Sequence, residues 1–199
     1  MINIAIIDDD KTFCDDFKEQ IEKYVPFNEQ EERDKEQFLK FIDTFNDVLT
    51  RDNIFGHFLA SAFVVNKDKN KMVVVYHNIN DGWIYPGGHV DGESDFLSVA
   101  IREVEEETGL KVKVLDKSIF SIQSAPVKGH VKKGKYVSAH LHLDVVYLLE
   151  ADETQPLIFN ESESSGVKWI PFELADDKSM CDFIRLIHKK LINKLSEKL

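Results

Sequence analysis

Cysteine is scarce in this chain, and the scarcity limits what the fold can be built on. The 199 residues include only Cys14 and Cys181, which lie far apart in sequence and have no CxxC spacing. Two such residues supply neither a disulfide framework nor a metal-binding motif, and free buried thiols are the expected state in a reducing compartment. We therefore predict a cytoplasmic protein.

Basic residues are also in the minority. The chain has 25 Lys and Arg against 36 Asp and Glu, which gives a formal net charge of −11. A general nucleic-acid surface needs Lys and Arg to neutralise phosphates, so we expect no nucleic-acid polymer as a partner. A small polyphosphate remains compatible with this charge, provided that a metal ion offsets the repulsion.

Long apolar runs are missing, although hydrophobic residues are not. No run approaches the length of a membrane span, so we expect no membrane partner. The segment 1–10 lacks a basic region and becomes acidic at once, so we do not expect a secretory signal. The 43% hydrophobic content and 14 Phe are ample for a packed core, and the length suits one domain with an appendage.

The appendage is predicted to be a helical extension over residues 1–50, followed by the main domain over 51–199. Apolar residues recur at helical spacing on either side of Pro26, with a cap expected at Asn28. They are Phe13, Phe17, Ile21 and Tyr24, then Phe38, Leu39, Ile42, Phe45 and Leu49. We interpret this segment as a helical hairpin that packs on the main body or on a second subunit, which makes a homodimer possible.

The main domain alternates predicted strands with turns and two amphipathic helices. Strands are expected at about 58–66, 71–77, 111–115, 118–124, 136–149 and 166–170. One helix ends at Gly109, a position suited to a left-handed C-cap, and a last helix covers about 180–197. Mixed strands with helices on two faces predict an α/β protein, an α/β/α sandwich around a mixed sheet.

The helix before Gly109 carries the most informative residues. Turning 100° per residue places Glu103, Glu106 and Glu107 within an arc of about 100°. Carboxylates so close repel one another, and a hard divalent cation such as Mg²⁺ resolves the conflict. A solvated acidic face is the alternative, and periodicity alone does not decide between the two.

Residues 88–110 closely resemble the Nudix box, Gly-x5-Glu-x7-Arg-Glu-apolar-x-Glu-Glu-x-Gly-apolar. One position departs, because Ser94 stands where the family has its first Glu. A looser resemblance spans about residues 51–175 and implies the Nudix-like sandwich. Counting from Gly88, the matching positions are Arg102, Glu103, Val104, Glu106, Glu107, Gly109 and Leu110.

The resemblance implies hydrolysis of a nucleoside diphosphate derivative with Mg²⁺ or Mn²⁺. Glu103, Glu106 and Glu107 would be the metal ligands and, with Arg102, the catalytic set. In the family this arginine orients the helix by pairing with the first Glu.

Because that Glu is missing, we expect Glu93 or Asp95 to substitute for it. We expect Ser94 to be the N-cap, since its hydroxyl suits free backbone N–H groups. The departure therefore predicts a slower or more selective enzyme rather than an inactive one.

Family precedent also adds a carboxylate from a loop outside the box, as a metal ligand or general base. Glu161 and Glu163 lie in such a loop, and we assign the role to Glu163. Glu103 is the other candidate for the base.

The substrate-binding positions are assigned around the box. Gly87 and Gly88 form the loop before the helix, Tyr85 could stack a base, and His89 could contact a phosphate. The alternative for Tyr85 is burial in the core, and the alternative for His89 is a hydrogen bond that stabilises the loop.

A polar strand face carries His140, His142 and Asp144, with His142 expected to bind phosphate or share protons. The alternative is a solvent-facing sheet surface with a His–Asp pair. We disfavour a dedicated zinc site at His140 and His142, because no Cys lies nearby.

A cluster of lysines is predicted to lie at a hairpin tip. The hairpin is either a basic lid over the diphosphate or an exposed solubilising turn. Its basic residues are Lys128, His130, Lys132, Lys133 and Lys135.

Nothing in the sequence separates a nucleotide sugar such as ADP-ribose, a dinucleotide or a nucleoside triphosphate. The competing functional class is a non-catalytic Nudix-like module that binds a nucleotide and regulates something else.

Overall fold

The computed structural model describes residues 17–77, 82–132, 134–159, 164–176 and 182–198. Four helices lie in these ranges, together with a single 3₁₀ turn at Phe172–Leu174. Within the described residues, none of the helices is long and apolar enough to cross a bilayer. The helices are α1 over residues 17–23, α2 at Glu29–Thr44, α3 at Phe96–Thr108 and α4 at Asp182–Lys198.

Each of the six predicted strands overlaps an observed one. The predicted strands did not include β3, β4 and β7, which have three residues each. The strands are β1 Gly56–Val65, β2 Lys71–His77, β3 Gly82–Ile84, β4 Gly87–His89, β5 Val112–Val114, β6 Ser121–Val127, β7 His130–Lys132, β8 Lys135–Val137, β9 His140–Ala151 and β10 Ser164–Pro171.

The main sheet is mixed. Its strands run in the order β10–β2–β1–β9–β5, and β3, β4 and β6 pair with β2, β1 and β9. The central pair β1 and β9 is parallel, with His57 opposite His142, whereas the other pairs in this sheet are antiparallel. β7 and β8 form a separate hairpin.

Alternating residues of the central strands pack against helices on the two faces of the sheet. Phe58 and Ala60 of β1 join a core cluster with α1, α2 and the start of α3. Phe63 and Val65, which point the other way along the same strand, pack with α4. The predicted α/β/α sandwich with a mixed sheet and an N-terminal helical segment is therefore confirmed.

The N-terminal helices pack on the chain's own sheet. Phe17 lies 4.1 Å from Phe96 of α3 between ring centroids and stacks on it, and Phe38 meets Phe58 of β1 edge-on at 5.2 Å. The predicted cap is confirmed, since the side chain of Asn28 accepts a hydrogen bond from the N–H of Glu31. A homodimer through these helices stays a prediction, and residues 1–16 lie outside the described part of the chain.

A buried ionic network joins α2 to α4. Glu31 is fully buried, and its carboxylate lies 3.2 Å from the ammonium of Lys190 and 2.9 Å from that of Lys194. The hydroxyls of Tyr24 and Ser121 donate to the same carboxylate at 2.5 and 2.7 Å. Burial would raise the pKa of Glu31, but Lys190 and these hydrogen bonds outweigh it and lower the pKa to about 2. The carboxylate is therefore an anion that is fully paired within the core.

Candidate active site

The cap of α3 differs from the prediction by one residue. Asp95 is the N-cap, because its carboxylate accepts hydrogen bonds from the hydroxyl and the backbone N–H of Ser98 at 2.7 and 3.1 Å. These bonds lower the pKa of Asp95 and hold a negative charge at the positive end of the helix. The predicted N-cap at Ser94 is wrong, since the next carboxylate takes the free N–H. Gly109 ends the helix at φ 72° as predicted.

Arg102 finds its partner directly before the cap. Its guanidinium lies 2.8 Å from one carboxylate oxygen of Glu93 and 2.9 Å from the other, and the resulting hydrogen bond raises the pKa of Arg102. The same guanidinium lies 4.0 Å from Glu103 and 3.9 Å from Glu106. Of the two predicted substitutes for the missing glutamate, the structure pairs Arg102 with Glu93.

Two glycines allow the chain to pass against the box glutamates. The N–H of Gly87 donates to Glu107 at 3.0 Å. A Cβ at Gly88 would fall 2.3 Å from a carboxylate oxygen of Glu103, and a Cβ at Gly87 would fall 2.1 Å from the hydroxyl of Ser61 on β1. Any larger residue at either position would displace the loop or the carboxylate. The loop and α3 therefore form one close-packed unit.

The three glutamates of the Nudix box, Glu107, Glu103 and Glu106, increase in solvent exposure in that order. Glu107 is 9% exposed, whereas the side chains of Glu103 and Glu106 are 20% and 61% exposed. Oxygen donors of this kind suit Mg²⁺, which is held by a few carboxylates and completes its shell with water and phosphates. The donor chemistry fits a divalent cation, and the missing Cβ of Gly88 makes room for the carboxylate of Glu103.

Four histidine rings meet on the face of the sheet next to the same loop. The ring of His89 lies 4.9 Å from those of His57 and His142, between centroids, and His140 lies 5.0 and 5.1 Å from the same two rings. Burial is the main cause that lowers the pKa of His89 and of His142 to about 2. Burial also lowers the pKa of His57. These three imidazoles are therefore neutral near pH 7.

The predicted polar strand face is confirmed for its histidines but differs at Asp144. Asp144 is buried and its carboxylate accepts hydrogen bonds from the hydroxyl of Tyr85 and the amide of Gln123, each at 2.7 Å. Burial raises the pKa of Asp144. The alternative of a solvent-facing His–Asp pair is thus wrong. Tyr85 is 7% exposed, and its role as a base-stacking residue stays a prediction.

The basic segment is a hairpin, as predicted. Lys132 pairs with Lys135 across a turn at Gly134, whose φ is 77°. The positive charge of Lys132 contributes to the lowered pKa of His89, and the rings of His130 and His140 lie 6.4 Å apart. The hairpin thus lies next to the histidines. Its role as a lid stays a prediction, and Lys133 lies outside the described residues.

The loop carboxylates Glu161 and Glu163 also lie outside the described residues. Their assignment as a general base or metal ligand stays a prediction.

Sequence reasoning missed His57. It is the second residue of β1 and has no motif around it. Only the parallel pairing of β1 with β9 places it opposite His142. The strand alternation that grouped His140 with His142 becomes informative once that pairing is known. Four of the seven histidines in the chain lie in this group.

Comparisons with known proteins agree with this geometry. A family model described as the NUDIX domain matches residues 56–194. A protein named RNA pyrophosphohydrolase, from Pelagibacter ubique (strain HTCC1062), is 32% identical over 140 residues, which cover 67% of this chain and 87% of that protein. A protein named "Probable DHNTP pyrophosphohydrolase", from Lactococcus lactis subsp. cremoris (strain MG1363), is 33% identical over 100 residues, 48% of this chain and 55% of that protein.

Solved structures support the fold. The crystal structure of a NUDIX-family hydrolase from Clostridium perfringens superimposes with a TM-score of 0.51 at 21% identity, covering 70% of this chain and 97% of that one. The family-model match over residues 56–194 includes the sheet, the Gly-Gly loop and the glutamate helix. The chain belongs to the Nudix family and is an enzyme of the Nudix pyrophosphohydrolase type.

Proposed function

We propose that the enzyme hydrolyses the diphosphate linkage of a small nucleoside diphosphate derivative with the help of Mg²⁺ or Mn²⁺. The observation that carries the proposal is the contact between α3 and the Gly87–Gly88 loop. A Cβ at Gly88 would collide with Glu103, and the N–H of Gly87 holds Glu107. This contact holds Glu103 and Glu107 against the backbone of the loop, while Glu106 on the same helix is more exposed.

Glu103, Glu106 and Glu107 are the proposed metal ligands. When bound to them, a divalent cation would neutralise charge on the diphosphate and favour deprotonation of a water molecule. Glu107 is oriented by the N–H of Gly87, and Arg102 lies between Glu93 and the two more exposed ligands. Glu103 accepts the proton of the attacking water in this proposal, with Glu163 as the other candidate base.

Neutral imidazoles border the proposed substrate site. A neutral imidazole carries one N–H, so His89 and His142 can each donate a hydrogen bond to a phosphate oxygen. His89 and His142 lie on the face of the sheet toward which a Cβ at Gly87 would point, which is the face of Ser61.

The products are a nucleoside monophosphate and either pyrophosphate or a phosphorylated group.

A nucleotide sugar such as ADP-ribose, a dinucleotide and a nucleoside triphosphate are the substrate classes to test, and we place the reaction in the cytoplasm. An RNA is a second candidate substrate, because the relative covered over 87% of its length is named an RNA pyrophosphohydrolase. The net charge of −11 favours a small substrate over a polymer.

The first experiment compares Glu106→Gln with Glu105→Gln on a panel of these substrates in Mg²⁺. Glu105 is the matched control, since it lies on the same helix and pairs with Lys111 at 2.7 Å instead of joining the box carboxylates. Losing a metal ligand removes several kcal/mol of charge stabilisation, so Glu106→Gln lowers turnover by about 100-fold or more. Glu105→Gln keeps turnover near the parent value.

Equal turnover in the two variants would contradict the ligand assignment. A complete lack of turnover in the parent, combined with a nucleotide-induced rise in Tm, would favour the non-catalytic binding module. Phosphate release is measured with a coupled phosphatase, and EDTA abolishes it if a divalent cation is required.

A further inference from the structure

Three histidines of the sheet bring ligand atoms together at one point. One ring nitrogen from each of His57, His140 and His142 lies within 4.8 Å of the others. Among the described residues, no other group of three or more His, Cys, Asp or Glu residues gathers as closely. The Nε2 atoms of His140 and His142 are 3.2 Å apart. Two imidazoles on tetrahedral Zn²⁺ place their nitrogens about 3.3 Å apart, since each Zn–N bond is about 2.0 Å.

In His57 and His140, the other ring nitrogen is held by a backbone carbonyl. Nδ1 of His57 lies 3.4 Å from the carbonyl oxygen of Asn53, and Nδ1 of His140 lies 2.8 Å from that of Ser138. A histidine that donates from one ring nitrogen to a carbonyl presents the other as an oriented metal ligand. In both residues, the nitrogen that does not contact a carbonyl is Nε2.

Nε2 of His57 is buried and has no hydrogen-bond partner, and the residue is only 5% exposed. A buried polar atom without a partner is costly, and ligation to a metal ion removes the cost. This atom is therefore an independent indication that the group is built around a ligand.

We propose that His57, His140 and His142 bind a transition-metal ion of the zinc class, at a site separate from the carboxylates of α3. Imidazole nitrogens favour Zn²⁺ and its neighbours, whereas Mg²⁺ takes oxygen ligands, so the two sites differ in the metal they select. Three histidines leave a fourth tetrahedral position open, as in zinc sites that bind water or substrate.

The electrostatic surroundings allow a cation. The guanidinium of Arg51 is neutralised by Asp91, with contacts of 2.6 and 2.7 Å. A divalent ion would therefore not enter next to an unpaired arginine.

The site borders the box through β4. His89, whose ring lies 4.9 Å from those of His57 and His142, follows Gly87 and Gly88 on that strand. His89 does not belong to the closely gathered set and is therefore not one of the proposed ligands.

The test measures metal binding on the full chain and does not depend on turnover. The protein is stripped with a chelator and saturated with Mg²⁺. It is then titrated with Zn²⁺ by calorimetry and with Co²⁺ by visible absorption, because tetrahedral imidazole-ligated Co²⁺ absorbs far more strongly than octahedral oxygen-ligated Co²⁺. We expect one equivalent of Zn²⁺ per chain.

His140→Gln and His142→Gln are the test variants, since both side chains are partly exposed and tolerate replacement better than buried His57. Each weakens Zn²⁺ binding by more than the roughly 10–100-fold that loss of an outer-shell partner costs. His130→Gln is the matched control, because its ring lies 6.4 Å from His140 but outside the ligand set. Glu106→Gln keeps Zn²⁺ binding.

Parent-like Zn²⁺ binding in both histidine variants would overturn the proposal, and so would a lack of stoichiometric binding in Mg²⁺. Loss of Zn²⁺ binding in Glu106→Gln alone would place the ion at the box instead. Thermal unfolding of each metal-free variant confirms that the fold is intact. Failure here leaves the proposed hydrolase untouched, since that proposal is judged by turnover in Mg²⁺.

Discussion

Gly88 shows how much of the site depends on a single missing methyl group. The backbone of β4 pairs with β1 at Ala60, which fixes its distance from the sheet. Glu103 occupies the space where a Cβ would be, so neither strand nor carboxylate can adjust without moving the other. Close approach of a backbone to functional atoms is a common reason for glycine at such a position.

We therefore predict that Gly88→Ala lowers kcat by about 100-fold, because a displacement of about 1 Å in a catalytic group can cost that much. Steady-state kinetics in Mg²⁺ checks the value. Gly134→Ala in the hairpin is the control, since a Cβ there meets nothing within 4 Å. An alanine at position 134 is strained by the positive φ of that residue but does not contact the Nudix box. A kcat for Gly88→Ala within twofold of the parent would contradict the packing argument.

The sequence predicts residues of the box far better than residues of the histidine group. The glutamates and the Gly-Gly loop lie in one continuous segment with fixed spacing, so local periodicity and the family pattern are enough to identify them. His57 meets His142 through strand pairing across 85 residues of chain. No local signal encodes that pairing, which arises from how the whole sheet assembles.

At the scale of the element, two acidic side chains with different contacts precede the first turn of α3. Asp95 caps the helix, whereas Glu93 pairs with Arg102. The helix, its C-cap and its acidic face could be predicted from the sequence. The cap position could not, because serine and aspartate are both good caps and only the backbone geometry of the loop selects Asp95.

We predict that Glu93→Gln lowers kcat by about tenfold while changing the free energy of unfolding by less than about 1 kcal/mol. Both side chains are about half exposed, and exposed pairs contribute little to stability. Without Glu93, Arg102 shifts toward Glu103 and Glu106 and competes with the metal ion. The apparent affinity for Mg²⁺, measured from the dependence of turnover on its concentration, should fall as well.

Asp43→Asn is the matched control, since Asp43 forms a comparable exposed pair with Lys18 at 2.6 Å between α1 and α2. It should leave kcat and the Mg²⁺ dependence as in the parent. A Glu93→Gln variant that loses stability but keeps its Mg²⁺ dependence would show that the pair only supports the helix.

At the scale of the whole molecule, Glu31 ties the N-terminal helices to the rest of the chain. The charged segment at the start of α2 has the composition of a solvated face, yet Glu31 is fully buried. Its burial depends on Lys190 and Lys194, which α4 brings from the far end of the sequence. The hydrophobic pattern predicted both helices, but it could not predict an ion pair between them.

We predict that Glu31→Gln lowers the free energy of unfolding by about 3–5 kcal/mol, because it leaves two buried lysines without their anion. Chemical denaturation at pH 7 measures the loss. Glu36→Gln on the same helix is the control, since its pair with Arg33 is exposed, and it should change stability by less than about 0.5 kcal/mol.

Glu31→Gln also tests how the free energy of unfolding depends on pH in the acid range. The pKa of Glu31 is about 2 in the folded chain against an ordinary 4.5. Its contribution to stability is therefore complete above pH 4.5 and is lost as the pH falls toward 2. The parent should lose stability faster than Glu31→Gln across that window, and parallel curves would contradict the lowered pKa.

The Glu31 network also bears on the order in which the molecule is made. The carboxylate of Glu31 is synthesised before its partner Lys194, which lies 163 residues further along the chain. Contacts of such long range are slow to form, and domains made on the ribosome fold as units once enough chain is available. Until α4 arrives, the nascent chain carries an unpaired acid beside the apolar residues of α1 and α2. The core is therefore completed only after α4 has been synthesised and has paired with α2. Slowing translation before residue 182 should prolong the interval in which the unfinished chain needs a chaperone.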